Sequence, residues 1–199
     1  MKNIPIIALM VLMLLTVFSA VAQSEYQNGY IVTNQNDTIY GQLQDRSPEP
    51  FGKIYNKVKM KGYWVFNKKY GPKDIVFYQI GDLSYESLWY DSYTELFTVF
   101  HSSVPGQGKK VFMRLAVNGE VKLYWDEYRD PDSGYKLEIP FLRKANSTEM
   151  VRVTQGIFGF KKKRLANLFS DCSELVEKMN DGYFEIAEEM ADFYNQECY

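Results

Sequence analysis

Along the chain the spacing of apolar residues changes character twice, and each change marks a boundary. Met1 to Ala22 carries Lys2, an uncharged apolar run from Ile4 to Phe18, and Ala20-Val21-Ala22 at its end. That layout predicts a secretory signal peptide with small residues at the minus-three and minus-one positions, cleaved to leave Gln23 first. The competing reading is a retained anchor, since a helix of about 20 apolar residues spans a bilayer. No cysteine follows the small residues, which argues against a lipidated amino terminus.

From Gln23 to about Gly159 the pattern is one of strands and turns. Tyr30-Ile31-Val32-Thr33 and Thr38-Ile39-Tyr40, separated by Gln35-Asn36-Asp37, predict a hairpin, and a two-residue Gln35-Asn36 loop sets Val32 facing Ile39 and Thr33 facing Thr38. Asp45 to Pro50, with two prolines, predicts a loop. Lys53 to Met60 places Ile54, Val58 and Met60 on one side, as a half-buried strand does, and Tyr63 to Phe66 is a shorter candidate. Tyr70-Gly71-Pro72-Lys73-Asp74 breaks the pattern before a buried strand, Ile75 to Ile80; Leu83 to Tyr90 and Glu95 to Phe100 are further strands. His101 to Lys110, with Pro105, Gly106 and Gly108, reads as a loop.

Val111 to Tyr128 predicts a second hairpin whose register can be argued. A two-residue Asn118-Gly119 turn would set Leu115 against Lys122 and Val111 against Asp126, mixing apolar and charged residues on both faces. A three-residue loop, Val117-Asn118-Gly119, pairs Leu115 with Val121, Met113 with Leu123 and Val111 with Trp125, and leaves Arg114 against Lys122 and Phe112 against Tyr124. Pro131-Asp132-Ser133-Gly134 is then a turn, Tyr135 to Ile139 a strand, and two short strands after Pro140 end near Val153. Gly156 and Gly159 mark a hinge.

Beyond it the period becomes helical: Leu165, Leu168, Phe169 and Cys172, then Leu175, Val176 and Met179, then Ile186, Met190, Phe193 and Tyr194. Asp171-Cys172-Ser173-Glu174 has the form of a capping box, and Gly182 sits where that helix should stop. The predicted fold is α+β, an antiparallel β-rich domain (roll, sandwich or partly closed barrel) over 23–159 with a helical cap over 160–199.

Composition changes this picture little. Aromatic residues make up 16% with 16 Tyr, which suits sheets. The net charge of −2 is too mild to imply nucleic acid or a membrane surface as a partner. The two cysteines, Cys172 and Cys198, fall on apolar faces of the helical tail, and an oxidising compartment favours one disulfide between them. Geometry resists: in a helical hairpin turning near Gly182, Cys198 ends up on the order of 10 Å past Cys172. The bridge therefore needs the third helix to start late, or Glu197 to fold back.

Motifs of catalysis are missing. His101, the sole histidine, reads as a solvated loop residue because no second metal ligand or Gly-x-Ser-x-Gly nucleophile motif accompanies it. Asp126-Glu127, Asp130 and Asp132 with Gly134 lack the third acidic ligand and distal glutamate of a calcium loop. No catalytic residue, metal ligand or cofactor is predicted. Trp64, Trp89, Tyr90, Tyr124 and Trp125 could form a platform for a glycan or hydrophobic partner, against the plainer reading of core and cross-strand pairs. Lys161-Lys162-Lys163-Arg164 reads as a solvated helix face. Asn36-Asp37-Thr38 and Asn146-Ser147-Thr148 fit glycosylation acceptors that matter only in a eukaryotic host.

Gly29-Tyr30-Ile31-Val32-Thr33 with Asp37-Thr38-Ile39-Tyr40-Gly41, and Asp171-Cys172-Ser173-Glu174-Leu175 with Tyr194-Asn195-Gln196-Glu197-Cys198, resemble the two ends of a family of uncharacterised exported proteins of Bacteroidota-type Gram-negative bacteria. Ser173 departs from the proline expected there. The resemblance implies an exported address and a second reason to pair the cysteines, and no activity. The expected function is an exported, non-enzymatic binding or interaction protein of the periplasm, outer membrane or cell surface, with a protein or glycan partner. Membrane contact is expected only through the leader before cleavage. The alternatives are a small hydrolase acting on glycan or cell-wall material, and a structural subunit of an envelope assembly.

Overall fold

The structure, a computed structural model, describes residues 26–46, 56–62, 67–129, 136–154 and 159–199. The predicted leader, strand Tyr63 to Phe66, hinge glycine Gly156 and Pro131–Gly134 turn lie outside them. Eleven strands come first: β1 (Gln27–Thr33), β2 (Thr38–Gln44), β3 (Val58–Met60), β4 (Lys68–Tyr70), β5 (Ile75–Ile80), β6 (Leu83–Glu95), β7 (Thr98–Ser102), β8 (Lys109–Val117), β9 (Val121–Arg129), β10 (Lys136–Lys144) and β11 (Glu149–Arg152). Helices α1 (Lys162–Leu168), α2 (Ser173–Asn180) and α3 (Ala187–Phe193) follow, and α3 runs into a π-helical turn, Tyr194–Cys198.

The long strand β6 organises the sheet. Its first half lies between β5 and β8, and its last residues, Asp91 to Glu95, pair with β7. From β7 the ladder passes through β11, β10, β9 and β8 and returns to β6, closing a six-stranded antiparallel barrel. Strands β5, β1, β2, β3 and β4 continue outward from β6 as an outer sheet. The fold is thus α+β and β-rich, and the barrel is closed.

Alternation along the barrel strands sorts side chains to two apolar destinations. Leu88, Met113, Tyr124, Phe141 and Met150 fill the interior. Val121, Leu123, Leu142 and Val151 face outward and are covered by Leu165, Phe169, Leu175, Met179, Met190 and Tyr194 of the helical cap. A third cluster lies where the outer sheet curls over, joining Ile31, Leu43, Val58, Ile75 and Tyr78 to Tyr85 and Phe112 of β6 and β8.

A charged latch holds that curl. Just past β2, Arg46 donates from Nη1 to the Phe112 carbonyl at 2.7 Å and from Nη2 to Glu127 at 3.0 Å, with its guanidinium 4.7 Å from the Tyr85 ring centre. Asp45 accepts from the stacked phenols Tyr78 (2.7 Å) and Tyr85 (3.2 Å). Glu127, its side chain 5% exposed, also takes Arg114 at 2.7 Å and Lys136 at 3.2 Å. The latch therefore consists of polar groups that satisfy one another at the seam between sheet and barrel, as buried charge requires.

Several sequence expectations are corrected. In the first hairpin Ile31, not Val32, pairs with Ile39, and Val32 pairs with Thr38. Asn36 adopts φ +67°, and Thr33 Oγ1 accepts from the Gln35 and Asp37 amides at 3.2 Å each, so the loop spends one more residue than assumed. In the second hairpin Arg114 pairs with Trp125, Leu115 with Tyr124 and Val117 with Leu123, with a bulge between Leu115 and Val117. The predicted pairing of Leu115 with Val121 fails because both faces of these strands are buried, which removes the one-sided constraint on register. The backbone of Val121 pairs instead with the Asn195 side chain of the π-helical turn, at 2.8 and 2.9 Å.

Lys68–Tyr70, expected to run into a break, is an edge strand. Strand β10 continues through Pro140, whose carbonyl accepts from Val153; the missing Pro140 N–H leaves no orphan, because the facing Val153 carbonyl accepts from Lys161 instead. Asp171 does not cap a helix: it accepts from Lys144 and Tyr194, and the cap before α3 is one-way, with Glu189 accepting from the Glu185 and Ile186 amides. Cys172 and Cys198 form the disulfide, with Cα atoms 5.6 Å apart. The length objection is met by the first of the two anticipated routes: α3 starts late, at Ala187, and the chain stays helical through the π turn to Cys198.

Candidate functional site

At one end of the barrel a cleft of about 490 Å³ opens between the β6–β7 hairpin, the end of β11 and the start of α1. Thr154 and Phe160 form a β-bridge, and the Lys161 amide bonds the Val153 carbonyl at 2.8 Å, so the basic run Lys161-Lys162-Lys163-Arg164 is held against β11. Arg152 contributes from β11 and His101 from β7; Phe97, Val99 and Phe160 supply apolar wall.

His101 is not the solvated loop residue read from the sequence. It lies in β7 opposite Met150 and Ser92, is buried, and turns into the barrel interior. Its Nδ1 is 2.9 Å from the Tyr90 hydroxyl, and the ring sits edge-on to Phe141. Burial, then the positive charges of Lys161, Arg152 and Arg164, press its pKa down to about 4, so the imidazole is neutral at physiological pH. Burial of its partner, together with the charge of Asp126, pushes the Tyr90 phenol up to about 12.

The cations of the cleft are balanced by no carboxylate among the described residues. Arg164 donates to the Val99 carbonyl and lies 4.3 Å over the Phe100 ring, and Lys162 donates to the Asn180 carbonyl. Arg152 Nε is buried without a hydrogen-bond partner among the described residues. Burial, then Arg152 and Arg164, holds the Lys161 ammonium below its ordinary range, the electrostatic mark of cations crowded together. Sequence reasoning saw the basic run and the histidine separately. Nothing in their spacing shows that a hairpin tip and a strand end bring them together.

A second cleft, of about 600 Å³, lies beside β8 and the 71–74 turn, with Lys57, Lys73, Lys109 and Lys110 on its walls. Its Asp74 is already engaged by the Gly71 amide, and it holds no buried titratable group comparable to His101. The other polar cluster, at the opposite stretch of the barrel interior, is bonded within itself except at Arg143 Nε, which is buried without a hydrogen-bond partner among the described residues. Glu86 accepts from Lys122 and Tyr124, and Arg143 donates to Tyr124 and Ser103.

The aromatic residues proposed as a platform do not share one surface. Trp64 lies outside the described residues. Tyr90 and the fully buried Tyr124 face the barrel interior. Trp89, opposite Lys110, and Trp125, opposite Arg114, have the other parity; Trp125 Nε1 donates to Glu188 at 3.0 Å. The aromatic strip the structure does present is Tyr40, Tyr30 and Phe77 on the outer sheet, with centres 5.5 and 5.9 Å apart.

Together, fold and site define a closed antiparallel barrel with an outer sheet, a disulfide-bonded helical cap and a basic mouth. Set against known protein families, curated proteins and solved structures, the chain matches none of them.

Proposed function

We propose that the chain is an exported, non-enzymatic binding protein of the cell envelope, and that its ligand is an anion bearing phosphate or carboxylate groups, seated in the cleft at the barrel mouth. The observation that carries this is the convergence of Arg152, Lys161, Lys163 and Arg164 on one cavity, with no carboxylate among the described residues to neutralise them. Cations held this close repel one another, and an entering anion relieves that repulsion while gaining charge-assisted hydrogen bonds. The apolar wall favours a ligand with a hydrophobic portion. Export is supported by the leader-like Met1 to Ala22 and by a disulfide that suits an oxidising compartment. The exported-protein resemblance points the same way. A hydrolase would want an acid and a nucleophile beside His101; the groups around its ring are a phenol, aromatic faces and cations, which favour binding over turnover.

The test uses the single histidine as a reporter. Titrating the protein with pyrophosphate should raise the His101 pKa from about 4, because a bound anion offsets the neighbouring positive charges. An uncharged disaccharide should leave it unmoved. If millimolar pyrophosphate shifts neither the imidazole resonance nor the calorimetric baseline, the anion reading fails.

A further inference from the structure

The turn between β6 and β7 is built against local preference. Its two residues, Leu96 and Phe97, take φ +43° and +66°, where glycine or asparagine is the unstrained choice and a bulky side chain is an outlier. Yet the side chains held there are large, apolar and almost wholly in water, Leu96 at 87% and Phe97 at 101% exposure. Tyr93 and Val99 extend the apolar surface down the two strands, also exposed. Phe97 and Val99 border the basic cleft, and Arg164 stands over the neighbouring Phe100 ring. Backbone strain of this kind persists where a function uses it.

We infer that this end of the barrel docks on a bilayer: the cleft receives the phosphate of an anionic lipid headgroup, and Leu96–Phe97 enters the acyl boundary beside it. The inference rests on the anion reading above and names the source of the anion. An apolar projection next to a cluster of lysine and arginine is the pair of signals that reversible membrane binding requires, since either alone is weak. Tyr93 sits one turn back from the tip, where an aromatic with a polar end suits the headgroup layer. The whole chain carries −2, so the attraction is local, and net charge gives no hint of it. A convex two-residue tip also offers far less area than the roughly 1,600 Å² of a standard protein interface, while it suits insertion among lipid chains.

The experiment is co-sedimentation of the mature protein with vesicles of phosphatidylcholine, with and without phosphatidylglycerol, alongside pyrophosphate titration. The wild type should sediment only with the anionic vesicles and release as salt rises. Leu96→Ser, at the tip but outside the cleft lining, should cut vesicle binding about fivefold or more while leaving pyrophosphate affinity unchanged. Lys161→Ala with Lys163→Ala should weaken both. Folding of the tip variant is checked independently by Leu96→Asn with Phe97→Gly, which relaxes the turn and should raise the thermal midpoint while abolishing sedimentation. If the wild type binds pyrophosphate but ignores anionic vesicles, or the tip variants sediment normally, docking is overturned and the anion cleft stands. If the protein binds neither, the anion reading falls first. Wild-type self-association that the tip variant loses, without vesicle binding, would make the tip a protein contact and also overturn the inference.

Discussion

Glu127 and His101 are two side chains whose charge state couples folding to acidification. Burial raises the Glu127 carboxyl, but Arg114, Lys136 and Arg46 outweigh it and hold its pKa below the ordinary value. Its contribution is therefore fully present above the unfolded carboxylate range and is lost as pH falls through the depressed folded value. Glu127→Gln leaves two arginines without their shared anion and should cost about 3 kcal/mol in urea unfolding. Glu138→Gln, at the exposed rim of the same network, should cost less than about 1 kcal/mol.

His101 obeys the same sign. Its folded pKa of about 4 lies below the unfolded value near 6.5, so the stability it lends is complete above that pH and drains away on acidification. The groups facing it are Tyr90 from β6, Phe141 from β10, Met150 and Arg152 from β11, and Lys161 and Arg164 before and within α1. His101→Gln should flatten the pH dependence of unfolding between about pH 6.5 and 4 by up to one proton's slope, about 1.4 kcal/mol per pH unit. Proton NMR of the single imidazole measures the pKa directly. A value near 6.5 would mean that the ring is solvated after all.

Elements were legible where one face meets the core and the other meets water. Ile75–Ile80 and the three helices stand close to where their periodicities put them, because each is amphipathic or bounded by Gly and Pro. The β8–β9 hairpin was readable as a hairpin but not in register. Met113 and Leu123 are both fully buried, yet one points into the barrel and the other under the helices. Apolar character cannot separate two apolar destinations, and the residue that helps fix the pairing, Asn195, lies more than seventy positions away. Asn195→Ala should therefore act on the hairpin, speeding amide exchange at Val121 and lowering stability by about 1 to 2 kcal/mol. Gly119→Ala should do the same by displacing Asn195, since a Cβ at Gly119 would collide with the Asn195 side-chain amide. If Val121 exchange is unchanged in both variants, Asn195 does not set the pairing. The disulfide spans 26 positions and ties the start of α2 to the π-helical turn. Cys172→Ser with Cys198→Ser should lower stability by about 3 kcal/mol and weaken the cap before the barrel, seen as helical circular dichroism lost ahead of the sheet signal.

For the molecule as a whole, the sequence disclosed a β-rich body and a helical tail, and concealed the site. The cleft draws on residues 97–101, 152 and 160–164, which only barrel closure makes neighbours. The basic run was read as a solvated face, and Lys162 and Lys163 are indeed exposed; in space the run also gains Arg152 and His101 and forms one wall of a cavity. Closure has another result. An open sheet has two borders, so strand-to-strand stacking can extend without limit from both. Here β6 and β8 seal the barrel side, and among the described strands the end border is β4, three residues long with exposed Lys68 and Lys69, with the stretch of β2 from Thr38 to Gly41 that β3 does not reach. Should two copies ever meet along that border, both would be used up, and growth would stop at a pair instead of a fibril.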